Sequence, residues 1–121
     1  MAFQRPARRQ AAYFLLTGPS PFVSRRAFEA VTGPKREWWL VQTVGLLVTA
    51  IGAGLGAAAA RDRVTRELAL IGAGSAAALG AIDVVHVARR RIRPTYLGDA
   101  VVEAALLAGW ASAWRAARAG R

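Results

Sequence analysis

Four ionisable side chains are set into otherwise apolar segments in the C-terminal half of the sequence. Asp83 and His86 precede a short arginine-rich link, and Asp99 and Glu103 follow it. On helices, the spacings i, i+3 and i, i+4 place each pair on one face. Carboxylates and an imidazole within a membrane can hold a cation, relay protons or bind a metal ion. Which chemistry they can perform depends on whether the two segments bring them together.

The link between the two pairs, residues 89–95, is short enough to predict an antiparallel helical hairpin. At about 1.5 Å of rise per residue, Asp83 lies about 7 Å and Glu103 roughly 11 Å inside the end of its helix. Both pairs therefore fall in the same half of the predicted bundle. We expect the four side chains to form one sheltered ligand-binding cluster.

Three interpretations of this cluster are open from the sequence. In the first, Asp83 and Asp99 pair with arginines of the link, and Glu103 pairs with Gln42 or takes a proton. In the second, the cluster lines a polar pocket for a cationic or amphipathic molecule, with Glu103 as the buried counter-charge. In the third, the carboxylates and the imidazole hold a metal ion. Helical bundles that do so normally supply two histidines, and this chain has one, so we expect neither a metal nor a cofactor.

Further residues at the same end of the predicted bundle extend the candidate site. The additional pocket is expected to include Glu29, Glu37, Trp38 and Gln42. The acids assigned to the opposite end are Asp62 and Glu67. The acidic groups are therefore predicted to be segregated toward one side of the bundle.

The composition is typical of an integral membrane protein with one domain. Hydrophobic residues make up 55% of the 121 residues, the mean hydropathy is +0.27, and the apolar residues come in blocks with charges between them. The absence of cysteine excludes disulfides and thiolate chemistry. The net charge of +10 sits at the ends of the apolar blocks, which favours contact with lipid headgroups over binding of nucleic acid.

The apolar blocks predict a single all-α domain over residues 1–121, an integral membrane bundle of four helices. Predicted spans cover residues 6–23, 38–60, 68–88 and 96–114, and about 20 residues are needed to cross the hydrocarbon layer. The first span is expected to be short and kinked because it contains the sequence GPSP. Between the first two spans, Ser24 can cap a short amphipathic helix that Gly33 would end, and this helix is expected to lie flat at the headgroups.

Small residues recur at helical spacing inside the predicted spans. Gly52 and Gly56 form one pair, and Gly72, Ala76 and Gly80 repeat a small residue every four positions. Such spacing lets helix backbones approach closely in lipid. We expect these positions to mark the contacts within the bundle, with a homodimer face as the alternative.

The basic residues do not favour either orientation of a four-span topology. They divide nine against eight between the two sides. A near-even division is found in some small transporters that work as antiparallel pairs, so a proton-coupled transporter acting as a dimer is one alternative function. A three-span topology would divide the same residues eleven against six and place the N-terminus inside.

Three stretches of the sequence resemble a group of small, uncharacterised bacterial four-helix integral membrane proteins. They are FEAVTGPKREWWLVQTVGLLV, RELALIGAGSAAALGAIDVVHVARRRI and PTYLGDAVVEAALLAGW. The resemblance runs from about Tyr13 to Trp110, and its most specific part is FEAVTGPK at residues 28–35. It implies a multi-pass protein of the bacterial cytoplasmic membrane and attaches no activity to it. The segment TGPSPFVS is more broken than the first span of that group.

The expected function is non-catalytic. We expect a bundle in the lipid bilayer that binds a small lipophilic or cationic ligand, or acts as an accessory subunit, through the cluster of Asp83, His86, Asp99 and Glu103. A membrane enzyme is a further alternative, which the single histidine disfavours.

Overall fold

The computed structural model describes residues 3–120, and over this range the chain is helical with no β-strand. Its helices are α1 (Gln4–Thr17), α2 (Ser20–Val23), α3 (Arg25–Thr32), α4 (Trp38–Ala60), α5 (Arg66–Ala88) and α6 (Tyr96–Ala119). The prediction of an all-α fold is confirmed. Among these helices, α4 and α5 are long and apolar enough to cross a membrane.

The segment predicted as the first span, residues 6–23, is divided between two helices. α1 begins at Gln4 and ends at Thr17, and α2 follows after a break at Gly18 and Pro19. Proline lacks a backbone N–H and is tolerated where a helix begins rather than inside one. Helix α1 therefore ends beside the middle part of α4, and the chain continues as the separate helix α2.

Two antiparallel helix pairs, α1 with α4 and α5 with α6, make up most of the packing. Glycines permit the close approach in both pairs. A methyl group added at Gly52 of α4 would lie 2.9 Å from Cβ of Phe14, and one added at Gly72 of α5 would lie 2.6 Å from Cζ2 of Trp110. The predicted small-residue contacts at these two positions thus lie inside the bundle.

A buried amide joins the two pairs. Gln10 of α1 is 0% exposed, and its Nε2 donates to the carbonyl oxygen of Gly72 at 2.8 Å. Its Oε1 accepts a hydrogen bond from the indole N–H of Trp110 at 2.6 Å. A buried polar group satisfied on both sides fixes the position of α1 against α5 and α6.

Helix α3 begins and ends as its sequence predicts. The Ser24 side chain accepts a hydrogen bond from the backbone N–H of Ala27, and Gly33 follows the helix with a φ of 94°. Residues with a Cβ rarely adopt that conformation, so glycine is required there. The ring of Phe28 packs edge-on against Trp38, with centroids 5.6 Å apart, which holds α3 over the start of α4.

Candidate functional site

A cavity of about 850 Å³ lies among the ends of α1, α2, α3, α4 and α6. It exists because α1 is shorter than α4. The break at Gly18 contacts α4 at Gly45, which is seven residues into that helix. Beyond this point α4 has no α1 beside it, and α2 and α3 cover the remaining space from one side.

The lining of the cavity is mainly apolar, although it includes hydroxyl side chains such as those of Thr17, Ser20 and Thr95, and both of its carboxylates lie on one wall. Apolar lining side chains include Leu16, Val23, Phe28, Val31, Leu40, Val41, Val44, Val48 and, from α5, Leu79. On the polar wall are the carboxylates of Asp99 and Glu103 from α6 and the hydroxyl of Tyr13 from α1. None of the described residues that line the cavity is basic. The cavity therefore combines mainly apolar walls with one wall that carries two carboxyl groups and a phenol.

Three of the four predicted cluster residues lie at or next to this wall: Asp99 and Glu103 line it, and Asp83 packs at the α5–α6 contact beside it. Tyr13 donates a hydrogen bond to Oδ1 of Asp99. Asp83 of α5 is 5% exposed and lies one turn after Gly80, where an added methyl group would be 3.3 Å from Cβ of Glu103 on α6. The hairpin thus places two acids of α6 against one acid of α5.

Glu103 is the most deeply buried member of this group. Its side chain is 1% exposed, and within residues 3–120 neither carboxylate oxygen has a hydrogen-bond partner. One oxygen of Asp83, Oδ2, is unpartnered in the same way. Burial of a charged carboxylate without a partner costs several kcal/mol, so a proton, a cation or a donor group of a ligand must meet it.

Arginines of the link do not neutralise these acids. Arg93 donates from Nη1 to the carbonyl oxygen of Ala30 at 2.9 Å. Over the described part of the chain, the one salt bridge joins Arg25 and Glu29, at 3.3 Å. The interpretation in which Asp83 and Asp99 pair with the link arginines is therefore wrong.

His86 lies one turn beyond Asp83 on α5. It is half-buried, does not line the cavity, and its imidazole makes no hydrogen bond to any described residue. Within the same residues, no group of three or more His, Asp or Glu side chains could hold a metal ion. His86 therefore does not share the cavity wall with Asp99 and Glu103.

The additional pocket residues lie outside the cavity lining. They are Glu29, Glu37, Trp38 and Gln42. Glu29 accepts the backbone N–H of Lys35 at 2.6 Å, and Glu37 accepts the indole N–H of Trp39 at 2.8 Å. The hydrogen bond from Lys35, with the charge of Arg25, lowers the pKa of Glu29. These two acids therefore bind the segment from Lys35 to Trp39, between α3 and the start of α4, and do not line the cavity.

Tyr13 was missed by reasoning from the sequence. It is the one tyrosine in the N-terminal apolar block, and a phenol there needs a hydrogen-bond partner once buried. That requirement was the available signal, although it does not identify Asp99 as the partner.

Comparison with protein-family models, curated proteins and solved structures finds no match to this chain.

Proposed function

We propose that this protein is a multi-pass membrane protein that binds a lipophilic cation in the cavity beside Glu103. The observation that carries the proposal is the burial of that side chain without a hydrogen-bond partner. Glu103 is buried, has no hydrogen-bond partner among the described residues, and lines a cavity whose other walls are mainly apolar. A carboxylate in such a place is a functional-site candidate by default.

The outward faces of the long helices support the membrane assignment. In α4 and α5 only 22% of the most apolar stretch is buried within the bundle, whereas a core helix of a soluble protein would be largely buried. Leu46 of α4 is 60% exposed and Leu70 of α5 is 63% exposed. Lipid would cover these faces at no cost. We place the protein in the bacterial cytoplasmic membrane, as in the four-helix group that its sequence resembles.

The proposed topology has four crossings. Helices α4, α5 and α6 form three of them, and α1 with α2 forms the fourth, while α3 lies at the headgroups. Reporter fusions at the two termini test it directly. Both reporters should be found on the same side, and opposite locations would replace this topology with three spans.

The size and chemistry of the cavity define the ligand class. Pockets for small molecules commonly measure about 300–1,000 Å³, and this cavity falls within that range at about 850 Å³. Its apolar walls favour hydrocarbon or aromatic groups, and the carboxylates on one wall favour positive charge. An anion would meet no basic side chain among the described lining residues.

Two probes of the same shape and opposite charge provide the test. We expect tetraphenylphosphonium to bind purified protein in detergent and tetraphenylborate to bind much more weakly. Glu103→Gln should weaken phosphonium binding about tenfold or more, the loss of roughly one buried charge pair. Glu67→Gln serves as the matched control, because Glu67 is an exposed acid in the first turn of α5.

Equal affinity for the two probes would exclude the cation site. The cation site would also be excluded if neither Glu103→Gln nor Glu67→Gln changed the affinity for tetraphenylphosphonium.

A second candidate function is a proton-coupled transporter working as a dimer. The near-even division of basic residues between the two sides favours it, since it is compatible with two opposite orientations. Phosphonium uptake into proteoliposomes under an imposed pH gradient discriminates between the candidates. Uptake that Glu103→Gln abolishes indicates transport, and binding without uptake indicates a binding protein.

A further inference from the structure

A second pocket, of about 410 Å³, lies between two loops at the end of the bundle where α3 and α5 end. We call it the basic pocket. It is formed by residues 32–35 at the end of α3, by Val87 in the last turn of α5, and by residues 90–94 after α5. Its four basic side chains are Lys35, Arg90, Arg91 and Arg93, and none of its described lining residues is acidic.

Two of these cations bind neutral oxygen atoms. Lys35 donates from Nζ to the carbonyl oxygens of Thr32 at 2.7 Å and Gly33 at 3.1 Å. Arg93 donates to the carbonyl oxygen of Ala30. These bonds satisfy carbonyl oxygens at the end of α3 and just after it, which have no N–H partner within the helix. They fix the positions of two charges without cancelling them.

The other two cations are uncommitted. Arg90 and Arg91 are exposed, and their side chains make no hydrogen bond or ion pair with any described residue. Arg90 also occupies a left-handed backbone conformation, with a φ of 57°. Glycine or asparagine is the usual residue at such a helix end. An arginine therefore stands at a position that local folding alone would give to another residue.

We propose that the basic pocket binds a phosphate group, and that the source of this group is the headgroup of an anionic phospholipid. Guanidinium groups match phosphate oxygens through paired N–H donors. The pocket adjoins the interfacial aromatic residues, because the ammonium of Lys35 lies 5.2 Å from the ring centroid of Tyr96. Tyrosine and tryptophan are enriched at the headgroup level, where lipid phosphates lie.

This site is distinct from the cavity beside Glu103. The two pockets share only Thr32 among their described lining residues, and their charges are of opposite sign. Binding of an anionic headgroup therefore does not require the cation site, and the two proposals can fail separately.

The test compares phosphatidylglycerol with phosphatidylcholine, which carry the same phosphate and differ in net charge. Binding of each lipid to the detergent-purified protein is measured by native mass spectrometry. The test variant is Arg90→Asn with Arg91→Gln, in which asparagine tolerates the left-handed conformation. The control is Arg61→Gln with Arg63→Gln, which removes two exposed arginines from the loop between α4 and α5.

We expect the test variant to weaken phosphatidylglycerol binding about tenfold and the control to leave it within about twofold. Glu103→Gln should leave it unchanged. Equal losses in the test and control variants would overturn the proposal, because they indicate general attraction to a basic protein. Unchanged binding in the test variant would overturn it as well.

A competition with inorganic phosphate identifies the source of the group. If millimolar phosphate fails to displace phosphatidylglycerol, the headgroup assignment is supported. If inorganic phosphate binds and the protein does not discriminate between the two lipids, the lipid assignment is overturned in favour of free phosphate. Both outcomes are read on the same intact protein.

Discussion

The hydroxyl of Tyr13, near the end of α1, donates a hydrogen bond to Oδ1 of Asp99 in the first turn of α6. The two residues are 86 positions apart in the sequence. Their bond ties the helix that ends at the cavity to the helix that supplies both lining carboxylates. The polar wall is therefore a tertiary feature, built from helices that are not neighbours in sequence.

Removal of the Tyr13 hydroxyl should loosen this wall. We expect Tyr13→Phe to lower the free energy of unfolding by about 1–2 kcal/mol, because the hydrogen bond to Asp99 is lost while the ring remains in place. Unfolding in mixed micelles measures the effect. Tyr96→Phe is the matched control: Tyr96 also lines the cavity, but its hydroxyl makes no hydrogen bond to any described residue. A similar loss in both variants would contradict the assigned role.

Close packing of α5 on α6 can be tested with two glycines on one helix. A methyl group at Gly72 would overlap the Trp110 ring, whereas one at Gly74 would meet nothing within 4 Å. We expect Gly72→Ala to destabilise the protein by about 1–3 kcal/mol through overpacking. Gly74→Ala should be neutral or stabilise by up to about 1 kcal/mol, since alanine is the better helix former. The same unfolding assay compares them, and equal effects would argue against this helix contact.

Much of the helical framework follows from local sequence. The uncharged run over residues 38–60 coincides with α4, and the break at GPSP coincides with the end of α1. Capping and turn residues act over a few positions, so Ser24 and Gly33 mark the bounds of α3 without any tertiary information.

The cavity could not be derived in that way. It depends on where α1 stops relative to α4, which is fixed by contacts such as Gly18 with Gly45 and by the buried amide of Gln10. Helical spacing placed Asp99 and Glu103 on one face of α6, and both line the cavity. It also grouped His86 with them, because spacing along one helix does not show which part of a shared face a neighbouring helix covers.

The stability of the loop between α3 and α4 should depend on pH. Since the pKa of Glu29 is lowered in the folded protein, its carboxylate stabilises this loop above the ordinary pKa of 4.5 and stops doing so as the pH falls through the lower folded value. We expect the backbone amide of Lys35, its hydrogen-bond donor, to lose protection from hydrogen exchange in that acidic range.

Glu29→Ala should remove the protection of this amide at neutral pH and leave little further change in acid. Glu37→Ala is the control, because its carboxylate binds the indole of Trp39 instead. If Lys35 kept its protection in Glu29→Ala, the loop would have to be held by another contact.

Arg90, the residue with a left-handed backbone conformation after α5, allows the effect of a substitution on stability to be distinguished from its effect on lipid binding. Arg91 donates its backbone N–H to the carbonyl oxygen of His86 at 2.8 Å, and this places Arg90 at the position where helices favour glycine. After α4, Arg63 donates to Ala58 at 2.8 Å in the same way, with Asp62 in the equivalent conformation. Both turns therefore carry a non-glycine residue at a backbone cost of about 1 kcal/mol.

Arg90→Gly should raise the free energy of unfolding by about 1 kcal/mol, because glycine relieves the left-handed conformation. The same substitution should weaken phosphatidylglycerol binding. Asp62→Gly, the control, should give a similar gain in stability with unchanged lipid binding, since it lies at the opposite end of the bundle from the basic pocket. A variant that is better folded and binds less lipid shows that Arg90 is retained for its charge. If Arg90→Gly bound phosphatidylglycerol as the parent protein does, the strained arginine would have no role in the basic pocket.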